Sequence, residues 1–316
     1  MKFQRIAVIG GSGFLGTYIA ERLVEQDVEL TIPSRRRERN KLELILLPKT
    51  QLEETDVNDA AALKKLLAGH DAVVSMVGIL HGNARSFEAA HVELVKKIID
   101  AMKENGIRRL VHISALGANE NGPSLYQQSK GRGERVVMQS GLDWTILRPS
   151  VVFGRGDHFL NLFAGLGKTL PVLPLAGADT RFAPIWVDDV ARAVVACFAN
   201  DATLGQRYEL TGPKTYTLRE LARYATELSG NPRHVIGLPH SVAMLQAGLM
   251  EILPGPTLIS RDNVRSLAVD NVSDQPFPAD VMGFAPAELE TVAPKYLSRA
   301  EFNANLSRYR EEAGRR

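Results

Sequence analysis

Cysteine is nearly absent from this chain. Cys197 is the only one in 316 residues, which excludes an internal disulfide, and its place in the apolar run Ala193 to Ala199 suits a buried, inert thiol in a reducing compartment. Charge of one sign is also missing. The 38 basic and 36 acidic residues leave +2, which removes the broad basic surface expected of a nucleic-acid-binding protein. A bilayer-spanning run is lacking too. The most apolar stretch, residues 235–260, carries only Glu251 as a formal charge, but Pro239, Pro254 and Pro256 confine any helix there to about 13 residues, short of the ~20 needed to span. The 26 Gly show no three-residue period and the 45% apolar content is ordinary, so collagen-like, coiled-coil and disordered chains are excluded. The first apolar strand begins within five residues of Met1, so no signal or transit peptide is expected and the expected location is cytoplasmic, or peripheral to a membrane.

What is present is a rhythm. Short apolar runs at Ile6–Ile9, Val28–Ile32, Gln51–Thr55, Ala72–Val77, Leu110–Ser114 and Thr145–Leu147 alternate with helical patterns at Phe14–Glu25, Ala60–Leu67 and Ser86–Lys103. Continuous apolar strands suit burial on both faces, and their alternation with helices predicts an α/β fold with a Rossmann-like doubly wound parallel sheet over residues 1–150. After Pro149 the sequence turns rich in Gly and Pro up to Pro184; a helix then opens near Asp188 or Asp189, and Thr217-x-x-Glu220 is a capping-box signature. The expectation is that about 185–205 rejoin the main domain, while 151–184 and 206–316 form a smaller C-terminal substrate lobe.

The sharpest motif is Gly10-Gly11-Ser12-Gly13-Phe14-Leu15-Gly16, directly after a strand and opening a helix. Glycines let a pyrophosphate approach the helix amino terminus, whose unpaired N–H groups and dipole favour an anion. Gly10, Ser12, Gly13, Phe14, Leu15 and Gly16 are therefore candidate cofactor contacts; the bland alternative is an ordinary tight turn. The second strand ends Ser34-Arg35-Arg36, with no acid before Glu38. An acid there would accept from ribose hydroxyls, whereas Arg suits a 2′-phosphate, so NADP(H) is expected over NAD(H), against the alternative of a solvated basic loop. Ser114 follows the fifth strand, and Tyr126 and Lys130 lie four residues apart, on one helix face. Lys130 beside Tyr126 would lower the phenol's pKa for proton transfer, with Ser114 bonding the substrate oxygen. His81 and His158 lack metal-ligand spacing, so no metal is expected.

The Gly-x-x-Gly-x-x-Gly spacing and the Ser114, Tyr126-x-x-x-Lys130 set resemble the extended and atypical short-chain dehydrogenase/reductase superfamily. The resemblance implies that Asp56 and Val57 contact the adenine, that Val77, Gly78 and Ile79 line the adenosine ribose, that Lys130 also binds ribose, and that Pro149, Ser150 and Val151 lie beneath the nicotinamide. His112-Ile113-Ser114-Ala115-Leu116-Gly117-Ala118, Lys130-Gly131-x-Gly133-Glu134 and the run Leu147 to Gly154 are similar to one atypical branch. That branch comprises the nucleotide-binding accessory subunit of mitochondrial respiratory complex I and its bacterial relatives. In the eukaryotic subunit the role is structural, but here Tyr126 and Lys130 are kept.

Between Phe159 and Pro184 the only basic residues are Lys168 and Arg181, so an apolar or lipid-like substrate fits better than a nucleotide sugar. The 235–260 stretch suits a buried helix, a pocket lid, an interfacial helix or a docking surface for a membrane complex. The leading expectation is an NADP(H)-preferring oxidoreductase. Its alternatives are a non-catalytic dinucleotide-binding assembly factor and a nucleotide-sugar epimerase or dehydratase.

Overall fold

The computed structural model describes residues 2–35, 44, 46–253 and 257–298. The chain forms two compact units: residues 2–149, 187–210 and 275–285 in the first, and 150–186, 211–274 and 286–298 in the second.

The first unit is built on seven strands, β1 (Arg5–Ile9), β2 (Glu29–Ser34), β3 (Thr50–Glu54), β4 (Ala72–Ser75), β5 (Arg109–Ile113), β6 (Asp143–Pro149) and β7 (Gln206–Leu210). All pair in parallel, in the order β7-β6-β5-β4-β1-β2-β3. The order reverses between β1 and β4, which creates the crevice at the carboxyl ends of the strands where ligands of such sheets bind. Every residue of β4 and β5 is buried, as the continuous apolar runs predict. One core packs Ile9, Val73 and Leu110 of the sheet against Leu63, Ile98 and Met102 of its helices.

Its helices are α1 (Phe14–Val24), α2 (Ala60–Leu67), α3 (Ala84–Glu88), α4 (Leu94–Glu104), α5 (Leu125–Met138) and α6 (Val187–Ala199). Asp59 caps α2 by accepting from the N–H groups of Ala61 and Ala62. The helix read over Ser86–Lys103 differs in its interior, where a π-helical turn at Ala89–Glu93 separates α3 from α4. Periodicity cannot reveal one inserted residue in an apolar helix face.

The expected boundary also needs correction, because 206–316 do not all fall in the smaller lobe. Gln206–Leu210 pairs with Thr145–Pro149 and completes the sheet, and residues 275–285 return to the first unit. There Arg192 stacks its guanidinium 3.7 Å from the Phe284 ring centre. Arg109 is buried and donates to the carbonyls of Asp143 and Cys197 and to the hydroxyls of Thr145 and Thr203, tying β5 and β6 to α6. Burial pushes the Cys197 thiol up to about 12, which keeps it protonated and inert.

The second unit has its own core, in which Phe163 and Leu160 of helix Leu160–Thr169 meet Leu221 and Ala225 of helix Leu218–Leu228. Thr217 and Glu220 form the capping box read from the sequence. In the 235–260 stretch, strand His234–Leu238 pairs in parallel with Val172–Ala176, and a 13-residue helix follows at His240–Ile252. This helix is not the buried one that its composition allowed. It turns Ala243 and Ala247 inward onto Ala176 and Val264, and leaves Leu245, Leu249 and Ile252 exposed at 67%, 59% and 83%. Among the described residues no helix is long and apolar enough to cross a membrane.

Candidate dinucleotide and catalytic site

Three glycines of the first loop have separate tasks. Gly10 sits at φ +95°, a conformation that side chains oppose. At Gly16 a Cβ would collide with the Gly11 backbone, so only glycine lets α1 seat on the loop. Gly13 is the helix N-cap, extended at φ −94° and ψ 179°, with no side chain capping it and no acid in the first turn of α1. A Cβ there would meet only the Gly10 carbonyl, at 3.7 Å. The N-cap position therefore faces room rather than protein, beside N–H groups and a positive helix end, which fits a pyrophosphate. Ser12, Phe14 and Leu15 lie on this loop and first turn. A Cβ at Gly10 would also approach Val77 N at 3.1 Å, so the loop lies against the start of the Val77-Gly78-Ile79 segment.

At the end of β2, Ser34 is buried and its carbonyl accepts from Thr55 N at 3.3 Å. Arg35 follows in a turn; Arg36 lies outside the described residues. The Asp56 carboxylate accepts from the backbone and side-chain N–H groups of Asn58 at 3.0 and 2.9 Å. Those bonds hold it below the usual carboxylate range, with Arg35 adding to the effect. Arg35 and Asp56 thus act electrostatically on each other at neighbouring strand ends. Val57 and Val77 pack their side chains on the core.

Ser114 follows β5, is buried, and its Oγ has no hydrogen-bond partner. A buried hydroxyl without a partner is uncommon enough to mark a place where another polar group belongs. Ser124 caps α5 by accepting from Gln127 N, and so sets the phase of Tyr126 and Lys130. Lys130 is buried and donates to the carbonyl of Ile113 at 3.0 Å, the residue next to Ser114. Burial pushes its amine down to about 8, against the opposing pull of Glu134. A Cβ at Gly78 would lie 3.9 Å from Lys130 Nζ, which brings the proposed ribose wall and the lysine together. Tyr126 departs from expectation. Its ring meets Phe87 and His91 edge-on, at 6.2 and 5.6 Å between centres, and burial pushes the phenol up to about 12. The expected lowering by Lys130 is not seen: burial alone sets the direction, and the amine donates instead to the Ile113 carbonyl.

Pro149 ends β6, and its carbonyl accepts from Leu116 N. Ser150 and Val151 open the second unit, where Ser150 Oγ and Val151 N both donate to Asn271 Oδ1, at 2.6 and 3.1 Å. No cluster suited to a metal occurs among the described residues.

Sequence reasoning missed four residues around this site. Glu134 accepts from Nε and Nη2 of Arg148 at 2.8 and 2.6 Å, fastening α5 to β6. His91, in the π turn, accepts from Ile79 N at 3.1 Å and lies 2.8 Å from Ser129 Oγ. Glu134 and Arg148 stood in the quoted motifs and Ser129 within Tyr126-x-x-x-Lys130, but nothing in separate strings shows which strand faces which helix. His91 had no signal beyond being a histidine in a helix.

Comparison with known proteins follows from this geometry. A family model described as NAD(P)H-binding matches residues 10–201. The mitochondrial NADH dehydrogenase [ubiquinone] 1 alpha subcomplex subunit 9 of Arabidopsis thaliana is 29% identical over 306 residues, covering 92% of this chain and 76% of that one. A ceramide reductase of Caulobacter vibrioides is 28% identical over 249 residues, covering 78% of this chain and 76% of its own. Among solved structures, an NADPH-dependent quinone oxidoreductase of Escherichia coli in complex with NADPH superposes with a TM-score of 0.73 at 20% identity, covering 91% of this chain and 98% of that one. The last likeness concerns the fold.

Proposed function

Since the chain belongs to the NAD(P)H-binding family, we propose that it is a short-chain-type oxidoreductase that prefers NADP(H) and reduces an apolar, lipid-like carbonyl. The carrying observation is the meeting of Lys130 with the Ile113 carbonyl beside the unpartnered Ser114 hydroxyl, on the helix that presents Tyr126. A dinucleotide held by the Gly10–Gly16 loop would supply hydride to the carbonyl carbon. Ser114 donates to the carbonyl oxygen and orients it. Tyr126 delivers its proton to that oxygen as the C=O π bond breaks, leaving an alcohol and the oxidised cofactor. A phenol held at about 12 is protonated at neutral pH, the form that donates. Lys130, whose Nζ would lie 3.9 Å from a Cβ at Gly78, is assigned to the ribose.

Ser34 and Arg35 support the 2′-phosphate preference through their place at the end of β2. The substrate class draws on the ceramide reductase relative and on the second unit, where Arg181, one of only two cations between Phe159 and Pro184, is occupied by Asp270 at 2.8 Å. A nucleotide-sugar diphosphate finds little to bind there.

A second reading, a dinucleotide-binding component associated with a membrane complex, is favoured by the exposed Leu245, Leu249 and Ile252 and by the name of the Arabidopsis relative. The experiment that separates them is fluorescence titration with NADPH and NADH, followed by turnover of long-chain keto lipids and quinones. Tighter binding of NADPH with turnover supports the oxidoreductase. Binding without turnover across the panel, with recovery of the protein in a membrane complex, supports the second reading.

A further inference from the structure

The oxidoreductase reading gives no task to His91, which is buried at the centre of the π turn Ala89–Glu93. Its two nitrogens have fixed and different roles. The backbone N–H of Ile79 can only donate, so Nε2, 3.1 Å away, is an acceptor without a proton. The proton of the neutral ring is therefore on Nδ1, which donates to Ser129 Oγ at 2.8 Å. Ser129 in turn donates to the Tyr126 carbonyl at 2.9 Å. One continuous line of hydrogen bonds thus runs from the segment after β4 to the helical turn that carries Tyr126 and Lys130.

One glycine seats the π turn, and a second marks how near the imidazole stands to the lysine. A Cβ at Gly133 would strike the His91 carbonyl, so only glycine lets α5 close on the π turn, and a Cβ at Gly78 would lie 3.6 Å from His91 Nε2 and 3.9 Å from Lys130 Nζ. The inserted residue of a π turn re-aims a side chain relative to a regular helix. Here it directs the imidazole at Ile79.

We propose that His91 is a positioning residue for the dinucleotide, setting the gap between Gly78 and Lys130 by holding Ile79 N–H on one side and Ser129 on the other. The proposal rests on the reading that this pocket takes a dinucleotide. Burial and the nearby Lys130 charge hold the imidazole neutral, down to about 3, so the two bonds persist over the working range of pH.

The test compares His91→Leu, His91→Gln and Ser129→Ala with the wild-type chain. A glutamine amide supplies one acceptor and one donor; leucine supplies neither. NADPH and NADH affinities are measured by fluorescence titration, and opening of residues 77–82 by amide hydrogen exchange. The expected result is about a tenfold loss of affinity for both dinucleotides and faster exchange at Ile79 in His91→Leu, about a threefold loss in Ser129→Ala, and values within about twofold of wild type in His91→Gln. Should His91→Leu fail to fold, the Ser129→Ala and His91→Gln pair decides. Wild-type affinity in His91→Leu or Ser129→Ala, or a His91→Gln variant no better than His91→Leu, overturns the proposal. If the wild-type chain binds neither dinucleotide, the functional reading fails and the proposal falls with it; wild-type binding that His91→Leu leaves unchanged overturns the proposal alone.

Discussion

Glu134 and Arg148 form a buried two-pronged ion pair, with carboxylate oxygens 2.8 and 2.6 Å from the guanidinium Nε and Nη2 and side chains 1% and 12% exposed. Arg148 also donates to the Ala118 carbonyl at 3.1 Å. The pair therefore joins α5, β6 and the turn after β5, the three elements that present Lys130, Pro149 and Ser114.

Removing one partner leaves the other buried with only a longer ionic contact, Arg148 to Glu209 at 3.5 Å or Glu134 to Arg207 at 3.6 Å. Glu134→Ala or Arg148→Ala is expected to lower stability by about 3–5 kcal/mol, while the double variant loses less than the sum of the two. Urea denaturation of the four species measures this; simple additivity would show that the pair is not coupled.

Tyr126→Phe removes one oxygen from a ring already held by Phe87 and His91. Turnover should fall by about 10²–10⁴-fold with NADPH affinity within about twofold of wild type. Single-turnover kinetics and fluorescence titration check the two halves, and retained turnover would remove Tyr126 as the proton donor.

The buried imidazole of His91 makes stability depend on acid. Its folded value is depressed to about 3 from an ordinary 6.5, so below pH 6.5 the unfolded chain takes up a proton that the folded chain refuses. Stability contributed by this group is present above pH 6.5 and is lost as pH falls toward 3. Between pH 6.5 and 4.5 the wild-type chain should lose on the order of 2 kcal/mol more than His91→Gln. Parallel pH curves for the two proteins would contradict it.

Lys130 gives the opposite limb. Its amine is depressed to about 8 from 10.5, so between these values the unfolded chain holds a proton that the folded chain has released, and stability rises with pH relative to Lys130→Met. Dinucleotide affinity moves the other way, weakening above about pH 8 as the positive charge is lost. Calorimetry and fluorescence titration from pH 7 to 10 on both proteins measure the two slopes; affinity that holds level through this range would take Lys130 out of cofactor binding.

Leu245→Glu with Leu249→Glu alters side chains that face away from the protein. The melting temperature should stay within a few degrees, because surface substitutions shift stability by about 0.5 kcal/mol or less. Sedimentation with vesicles or native membranes should fall sharply. Unchanged sedimentation would remove the helix His240–Ile252 as a contact surface.

Much of the first unit was legible because its signals are local. Ile6–Ile9 and Ala72–Val77 announce buried strands by composition, Gly10 to Gly16 announces a turn, and Thr217 with Glu220 announces a cap. What escaped is pairing across distance. Glu134 and Arg148 are 14 residues apart in sequence and become partners only once α5 lies over β6. Tyr208–Leu210 reads as a short strand but carries no mark saying that β6 is its neighbour. The Tyr126 phenol illustrates a different gap: i, i+4 spacing places Lys130 on the same helix face, but the carbonyl of Ile113 decides where the amine points.

The helix His240–Ile252 is fastened to its unit on its inner side, by Ala243, Ala247 and Met244 on a small cluster and by Glu251, which accepts from Arg261 N and Nε at 2.8 Å. Folding accordingly places little demand on the identity of its outer residues. A whole outer face can be exchanged, charged for apolar or long for short, while the core of Phe163, Leu221 and Leu173 stays intact. The segment behaves as an interchangeable fitting, so the chain could be readdressed to a different surface without altering the unit that carries its glycine loop and Lys130.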